Sequence, residues 1–191
     1  MKIGLFFGSF NPIHIGHMAI ANYMVEFTDL DRVWFVVTPR NPLKSKSSLL
    51  TDLHRLQLVR LAIGDSRKYK ASDIEFKLPK PSYTVNTLAY LAEKYPEHKF
   101  VLIMGSDNLA TFHKWKNYEH IFQENELYVY PRPGEDGGQW KDHPRVKMVP
   151  APLMDISATF LRQAIKDKKD ISAFIPTAAY EYLREMHFYE K

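Results

Sequence analysis

The strongest constraint on this chain is a set of unbroken apolar runs: Ile3 to Phe7, Arg32-Val-Trp-Phe-Val-Val37 and Lys99 to Met104. Each runs into a loop, and stretches with helical spacing separate them. A strand with one face in water alternates apolar and polar residues, whereas a strand that is apolar at nearly every position is buried on both faces. Such strands alternating with helices imply an α/β fold, a Rossmann-like doubly wound parallel sheet with helices on both faces. The 191 residues, 45% hydrophobic and 14% aromatic, suffice for one good core, and residues 1–191 are read as a single domain.

The helical stretches follow from apolar spacing. Ile15, Met18, Ala19 and Tyr23 predict a helix that fades near Thr28-Asp29. Thr51 caps a second helix with Leu53, Leu56, Val59 and Ile63 on its apolar face. Ser82-Tyr83-Thr84 opens a third, lined by Leu88, Leu91 and Ala92 and closed at Pro96. Further strands are expected over Ala71 to Phe76 and Val146 to Val149. The segment Pro131 to Pro144, with Gly134, Gly137 and Gly138 and three prolines, reads as a mobile surface loop.

Open parallel sheets bind ligands at the carboxyl ends of their strands. Three segments sit at such ends and are expected to converge: Gly8 to His17, Arg40 to Lys44, and Gly105 to Asp107. In the first, Gly8 leaves a turn free of a side chain, and Pro12 suits a loop or a first helical position. His14 and His17, one turn apart, would project to the same side. A helix start offers unpaired amides and the positive end of a dipole, where an anion is held at least cost. Two imidazoles beside such amides suit a phosphoryl group. A second anion site is expected at Asp155-Ile-Ser157-Ala-Thr159-Phe-Leu-Arg162, where Ser157 or Thr159 caps a helix and Arg162 lies near its start. Taken alone, that stretch reads first as an ordinary capped helix, and its combination with the first motif is what favours the anion site.

Composition removes several classes of function. No cysteine is present, which excludes disulfides, thiolate metal sites and a cysteine nucleophile and fits a reducing cytoplasm. A net charge of +4, without a long basic run, fits an anionic small molecule and does not call for nucleic acid. The first apolar stretch is too short for a signal sequence or a membrane span. Zinc held by His14 and His17 is an alternative at that spacing, but no cysteine assists, and Gly16 between them suits phosphate approach better.

The pairing of Gly8-Ser-Phe-Asn-Pro-Ile-His14-Ile-Gly-His17 with Ile156-Ser-Ala-Thr159-Phe-Leu-Arg162 resembles the nucleotidyltransferase superfamily. From end to end the chain resembles the bacterial nicotinate mononucleotide adenylyltransferases, with Asn41-Pro-Leu-Lys44, Ser82-Tyr-Thr84, Ile103-Met-Gly105-Ser-Asp107 and Trp115 in support. The resemblance implies transfer of the adenylyl group of ATP to a pyridine mononucleotide, with release of pyrophosphate. Mg²⁺ would be held mainly by the ATP phosphates. It further implies catalytic roles for His14, His17 and Arg162, with His17 at the reacting α-phosphate. Arg162, Ser157 and Thr159 would hold the leaving phosphates.

The same resemblance gives ATP contacts to Gly8, Ser9, Phe10, Gly16, Gly105, Asp107 and Ile156, and acceptor contacts to Lys44, Tyr83, Thr84 and Trp115. For three of these a structural role competes: Lys44 is equally a solvated loop lysine, Trp115 is also readable as core, and Asp107 could cap the next turn. Tyr83 and Thr84, at a helix start, offer a hydroxyl and amides to a nicotinate carboxylate. Two departures from the family pattern stand out: Asn11 replaces a frequent Asp, a form shared with relatives that adenylate the amide nucleotide, and Ala158 replaces a common Ser. The alternatives are nicotinamide mononucleotide or phosphopantetheine as acceptor, or a nucleotide-binding module without catalysis.

Overall fold

A computed structural model describes residues 1–39 and 49–191. Its strands are β1 (Lys2–Gly8), β2 (Arg32–Val37), β3 (Tyr69–Ser72), β4 (Lys99–Gly105), β5 (Glu126–Tyr130) and β6 (Val146–Met148). Its helices are α1 (Ile15–Phe27), α2 (Asp52–Ile63), α3 (Thr84–Lys94), α4 (Ser106–Ala110), α5 (Tyr118–Glu124), α6 (Ala158–Lys166) and α7 (Thr177–Glu185). Among the described residues the strands form one parallel sheet in the order β3-β2-β1-β4-β5-β6. The order reverses between β1 and β4, and at such a switch point the chains leaving two neighbouring strands diverge and open a crevice at their carboxyl ends.

The apolar strands supply two cores, one on each face. Phe6, Val33, Phe35, Val37, Val101, Ile103 and Tyr128 face one side, where Ile20, Met24, Leu58, Leu161 and Leu183 from the flanking helices cover them. Ile3, Leu5, Trp34, Val36, Leu102, Met104 and Leu127 face the other, under Val85, Leu88, Leu91, Ile121 and Phe122. The expected doubly wound sheet is therefore present. No helix among the described residues is long and apolar enough to cross a membrane.

Some local expectations need correction. The run Ala71 to Phe76 is not one strand: β3 ends at Ser72 and a 3-10 turn covers Ile74–Lys77. Asp73 turns the chain, so Ile74 enters the second core while Phe76 packs against the first. On α1 the buried residues are Gly16, Ile20, Ala21 and Met24, not the stripe Ile15, Met18, Ala19 and Tyr23. That helix is apolar on most of its surface, so spacing alone does not select the inward face. On α2, Leu53 is 71% exposed while Arg55 is fully buried. On α3, Ala92 is exposed. Residues 131–144 hold a bridge between Arg132 and Glu135 and a 3-10 turn at Gly138–Trp140. The Trp140 ring lies 5.2 Å from Phe122 and 5.7 Å from Tyr118.

Candidate active site

The loop from Ser9 to His14 carries the chain from β1 into α1. Phe10 adopts a left-handed φ of 45°, unusual for a residue with a Cβ, and its ring is buried at 2% exposure. A Cβ on Gly8 would sit 2.9 Å from that ring, so a glycine there lets the ring close over the end of β1. His14 is the N-cap of α1. His17 accepts through Nδ1 a 3.3 Å hydrogen bond from the His14 main-chain N–H. With Nδ1 accepting, a neutral His17 carries its proton on Nε2, as a donor. The two imidazoles lie with centroids 3.7 Å apart and planes tilted by 32°, and the Phe10 ring stands edge-on to His17 at 5.1 Å.

His14 is buried, and its Nδ1 has no hydrogen-bond partner among the described residues. Burial, helped by the positive charge of Arg132, lowers its pKa to about 4, so the ring is neutral at pH 7. Gly16 lies against it: a Cβ there would meet His14 Nδ1 at 3.0 Å. A buried, unpartnered imidazole nitrogen is costly unless a ligand completes it.

From the far end of the sequence, Ser157 caps α6 by accepting from the Phe160 N–H at 3.1 Å. Arg162, one turn further on, donates to the Asn11 main-chain oxygen at 2.8 Å and to Thr159 Oγ1 at 3.2 Å. The two motifs are thereby joined. A cavity of about 380 Å³ opens between them, lined by Gly8, Ser9, Phe10, His14, Gly16, His17, Asp107, Ile156, Ser157, Thr159 and Arg162. Gly105 stands behind this wall, where a Cβ would overlap Asp107 Oδ1 and lie 2.8 Å from Arg132 Cγ.

The residues expected to meet an acceptor lie elsewhere. Tyr83 and Thr84 start α3, and Lys116 Nζ stands 4.5 Å over the Tyr83 ring, next to Trp115. Trp115 is half-buried and packs on Phe112 with centroids 5.2 Å apart. Both segments belong to the carboxyl edge of the sheet but not to the cavity that holds the histidines. Lys44, with the segment Arg40 to Lys44, lies outside the described residues.

Sequence reasoning missed four contributors. Arg132 lines the cavity and donates to the Met154 oxygen at 3.3 Å. It follows β5, and the apolar run Glu126-Leu-Tyr-Val-Tyr130 was the signal that would have placed it at a strand end. Arg55 donates to the main-chain oxygens of Ser9 at 2.7 Å, Thr38 at 2.8 Å and Leu50 at 3.0 Å, and pairs with Asp52 at 2.6 Å. Asn11 Oδ1 accepts from the Leu50 N–H at 3.1 Å and from the Tyr189 hydroxyl at 2.5 Å. No local pattern announces Arg55, Asn11 or Tyr189.

Among the described residues no group of three or more His, Asp or Glu side chains converges on a point that could hold a metal, and Asp107 is the one acidic side chain lining the cavity. Neutral and cationic donors dominate it. That set suits a polyanion which brings its own cation.

The cytidylyltransferase-like family model matches residues 5–164. A protein of Flavobacterium johnsoniae named "Probable nicotinate-nucleotide adenylyltransferase" is 55% identical over all of this chain and all of its own length. One of the same name from Bacteroides thetaiotaomicron is 49% identical over 97% of this chain and 92% of its own. Among solved structures, the nicotinic acid mononucleotide adenylyltransferase of Plasmodium falciparum, complexed with NaAD, superposes with a TM-score of 0.81. It covers 99% of this chain and 97% of its own at 20% identity, a likeness of fold.

Proposed function

The chain belongs to the nicotinate-nucleotide adenylyltransferases of the cytidylyltransferase-like family, and from that premise we propose how its residues carry the family's reaction. The enzyme transfers the adenylyl group of ATP to nicotinate mononucleotide, giving nicotinate adenine dinucleotide and pyrophosphate in NAD biosynthesis. The observation that carries the residue assignment is the junction of the two phosphate motifs around one cavity through Arg162 and Asn11.

In this reading the mononucleotide phosphate oxygen attacks the α-phosphorus in line, and the bond to the oxygen bridging to the β-phosphorus breaks as pyrophosphate leaves. No protein nucleophile takes part, so catalysis rests on positioning and charge stabilisation. His17 Nε2–H donates to the α-phosphoryl oxygens, and neutral His14, whose Nδ1 lacks a protein partner, completes its hydrogen bonding on the bound nucleotide. Arg162, Ser157 and Thr159 take the leaving phosphates, a guanidinium being suited by its planar set of donors. The glycines at 8, 16 and 105 keep the nucleotide path clear, with Ser9, Phe10, Asp107 and Ile156 along it. Lys44, Tyr83, Thr84 and Trp115 are assigned to the acceptor. The start of α3 offers amides to a nicotinate carboxylate.

The family's divalent metal is Mg²⁺ in this proposal, carried in on the ATP phosphates. It would neutralise phosphate charge there, in keeping with a cavity lined mostly by neutral and cationic donors. A chain without cysteine suits the cytoplasm, where these substrates are expected.

Pyrophosphate release and product mass, compared for nicotinate mononucleotide, nicotinamide mononucleotide and phosphopantetheine with Mg·ATP, test the reading. Release with the nicotinate acceptor in clear preference is expected; no release with either pyridine nucleotide would overturn it.

A further inference from the structure

We propose that Tyr189 is a positioning residue of the phosphate site, fixing the loop after β1 through Asn11 and thereby the guanidinium of Arg162. The inference rests on the assignment of Arg162 to the leaving phosphates. After α7 the chain doubles back on itself: the Phe188 N–H donates to the Leu183 oxygen at 3.2 Å, and His187 and Tyr189 both take left-handed φ values, 53° and 65°. The Phe188 ring is seated on His54 at 4.8 Å and on Tyr182 at 5.8 Å, and this anchors the segment to α2 and α7. Held there, Tyr189 sends its hydroxyl 2.5 Å from Asn11 Oδ1.

Asn11 thus has each oxygen engaged for a different purpose. Its side-chain oxygen accepts from Tyr189 and from the Leu50 N–H, and its main-chain oxygen accepts from Arg162. Held through its side-chain oxygen and its main-chain oxygen at once, Asn11 has its carbonyl direction tied to these contacts. The direction of that carbonyl sets one arm of Arg162. Burial pushes the Tyr189 hydroxyl pKa up, although Arg162 and Arg55 pull it down, so the phenol keeps its proton and remains the donor. Two neutral donors converge on Asn11 Oδ1, so an uncharged amide oxygen satisfies the position without adding an anion beside the phosphate path. Asn at position 11 has a structural reason here that is independent of which pyridine nucleotide is the acceptor.

Tyr189→Phe keeps the ring and removes the hydroxyl. The expected result is a fall in kcat/KM for ATP of about five- to tenfold, the range of one lost neutral hydrogen bond. KM for the mononucleotide should stay within about twofold. Asn11→Ala and the double variant should fall by the same factor as each other, because the hydroxyl has nothing to hold once Asn11 is gone. Tyr182→Phe, which removes the 2.8 Å contact with His54 on the same anchoring surface, should leave turnover unchanged. Tyr189→Phe with a lowered melting temperature but unchanged kinetic constants would make the residue a stabilising contact only and overturn the inference. So would a double variant whose losses multiply. Arg162→Ala separates the two levels: full turnover in that variant sinks the assignment beneath, whereas a dead Arg162→Ala beside a normal Tyr189→Phe sinks the positioning role alone.

Discussion

Arg162 Nη1 donates a 2.8 Å hydrogen bond to the main-chain oxygen of Asn11, so a side chain on α6 is fixed by the loop that follows β1. Two motifs far apart in sequence are one site because of this contact. A buried arginine, Arg55, holds the other side of the same loop at the Ser9 oxygen. The loop after β1 is therefore gripped from α2 and from α6, with the two paired histidines at its end.

The first prediction concerns Arg55. Arg55→Met fills much of the same volume but leaves the carbonyls of Ser9, Thr38 and Leu50 without their donor, and Asp52 with Lys80, at 3.3 Å, in place of two cationic partners. Breaking one side of a buried charged network costs about 3–5 kcal/mol. Urea unfolding should show an unfolding free energy lowered by that amount; a loss under about 1 kcal/mol would mean that water replaces the guanidinium without cost.

Gly16→Ala should separate stability from activity. Alanine favours a helix over glycine by about 1 kcal/mol. Its Cβ would nonetheless meet His14 Nδ1 at 3.0 Å and shift the ring by a few tenths of an ångström. The expected outcome is a denaturation midpoint that is unchanged or slightly raised, with turnover reduced about tenfold. Unchanged turnover would show that the ring has room to move without consequence.

His14 makes stability depend on pH. Its folded pKa of about 4 lies below the ordinary imidazole value of 6.5. The unfolded chain therefore binds the extra proton first, and stability falls as pH drops from about 6.5 to about 4, then levels off. The loss from this group is on the order of 3 kcal/mol. Thermal melts of the native protein and of His14→Gln across that range should converge toward low pH; parallel curves would contradict it.

Trp115→Ala tests the separation of the acceptor region from the cavity. Because the ring lies on Phe112, outside the cavity that holds His17, KM for the mononucleotide should rise by about tenfold or more, with KM for ATP within about twofold. Equal rises in both would make the ring a packing element of the whole site.

The apolar strands could be read because burial on both faces leaves no alternation, and β2 spans Arg32–Val37 as expected. The residues that line the cavity were legible because glycines, histidines and an arginine at strand and helix ends have few structural reasons to be there. Arg55 was not, since a guanidinium on an apolar helix face reads as solvated until its acceptors, loop carbonyls from distant segments, are in place. The face of α1 was hidden by its near-uniform apolarity, and Ile74 and Phe76 looked like strand because two cores, not one, take up apolar residues. Tyr189 shows the same limit: its value lies in a contact across the whole chain.

The ATP clamp itself is tested most directly on His17→Ala, with equilibrium ATP binding and single-turnover pyrophosphate release measured on the same preparation. In the proposed assignment the side chain meets the reacting phosphate while Arg162 and the start of α6 take the others, so ATP affinity should stay within a fewfold. Release should fall by about 10²–10³. Release within twofold of the native rate would show that His17 only shapes the turn, and the assignment of the reacting phosphate to the start of α1 would be wrong.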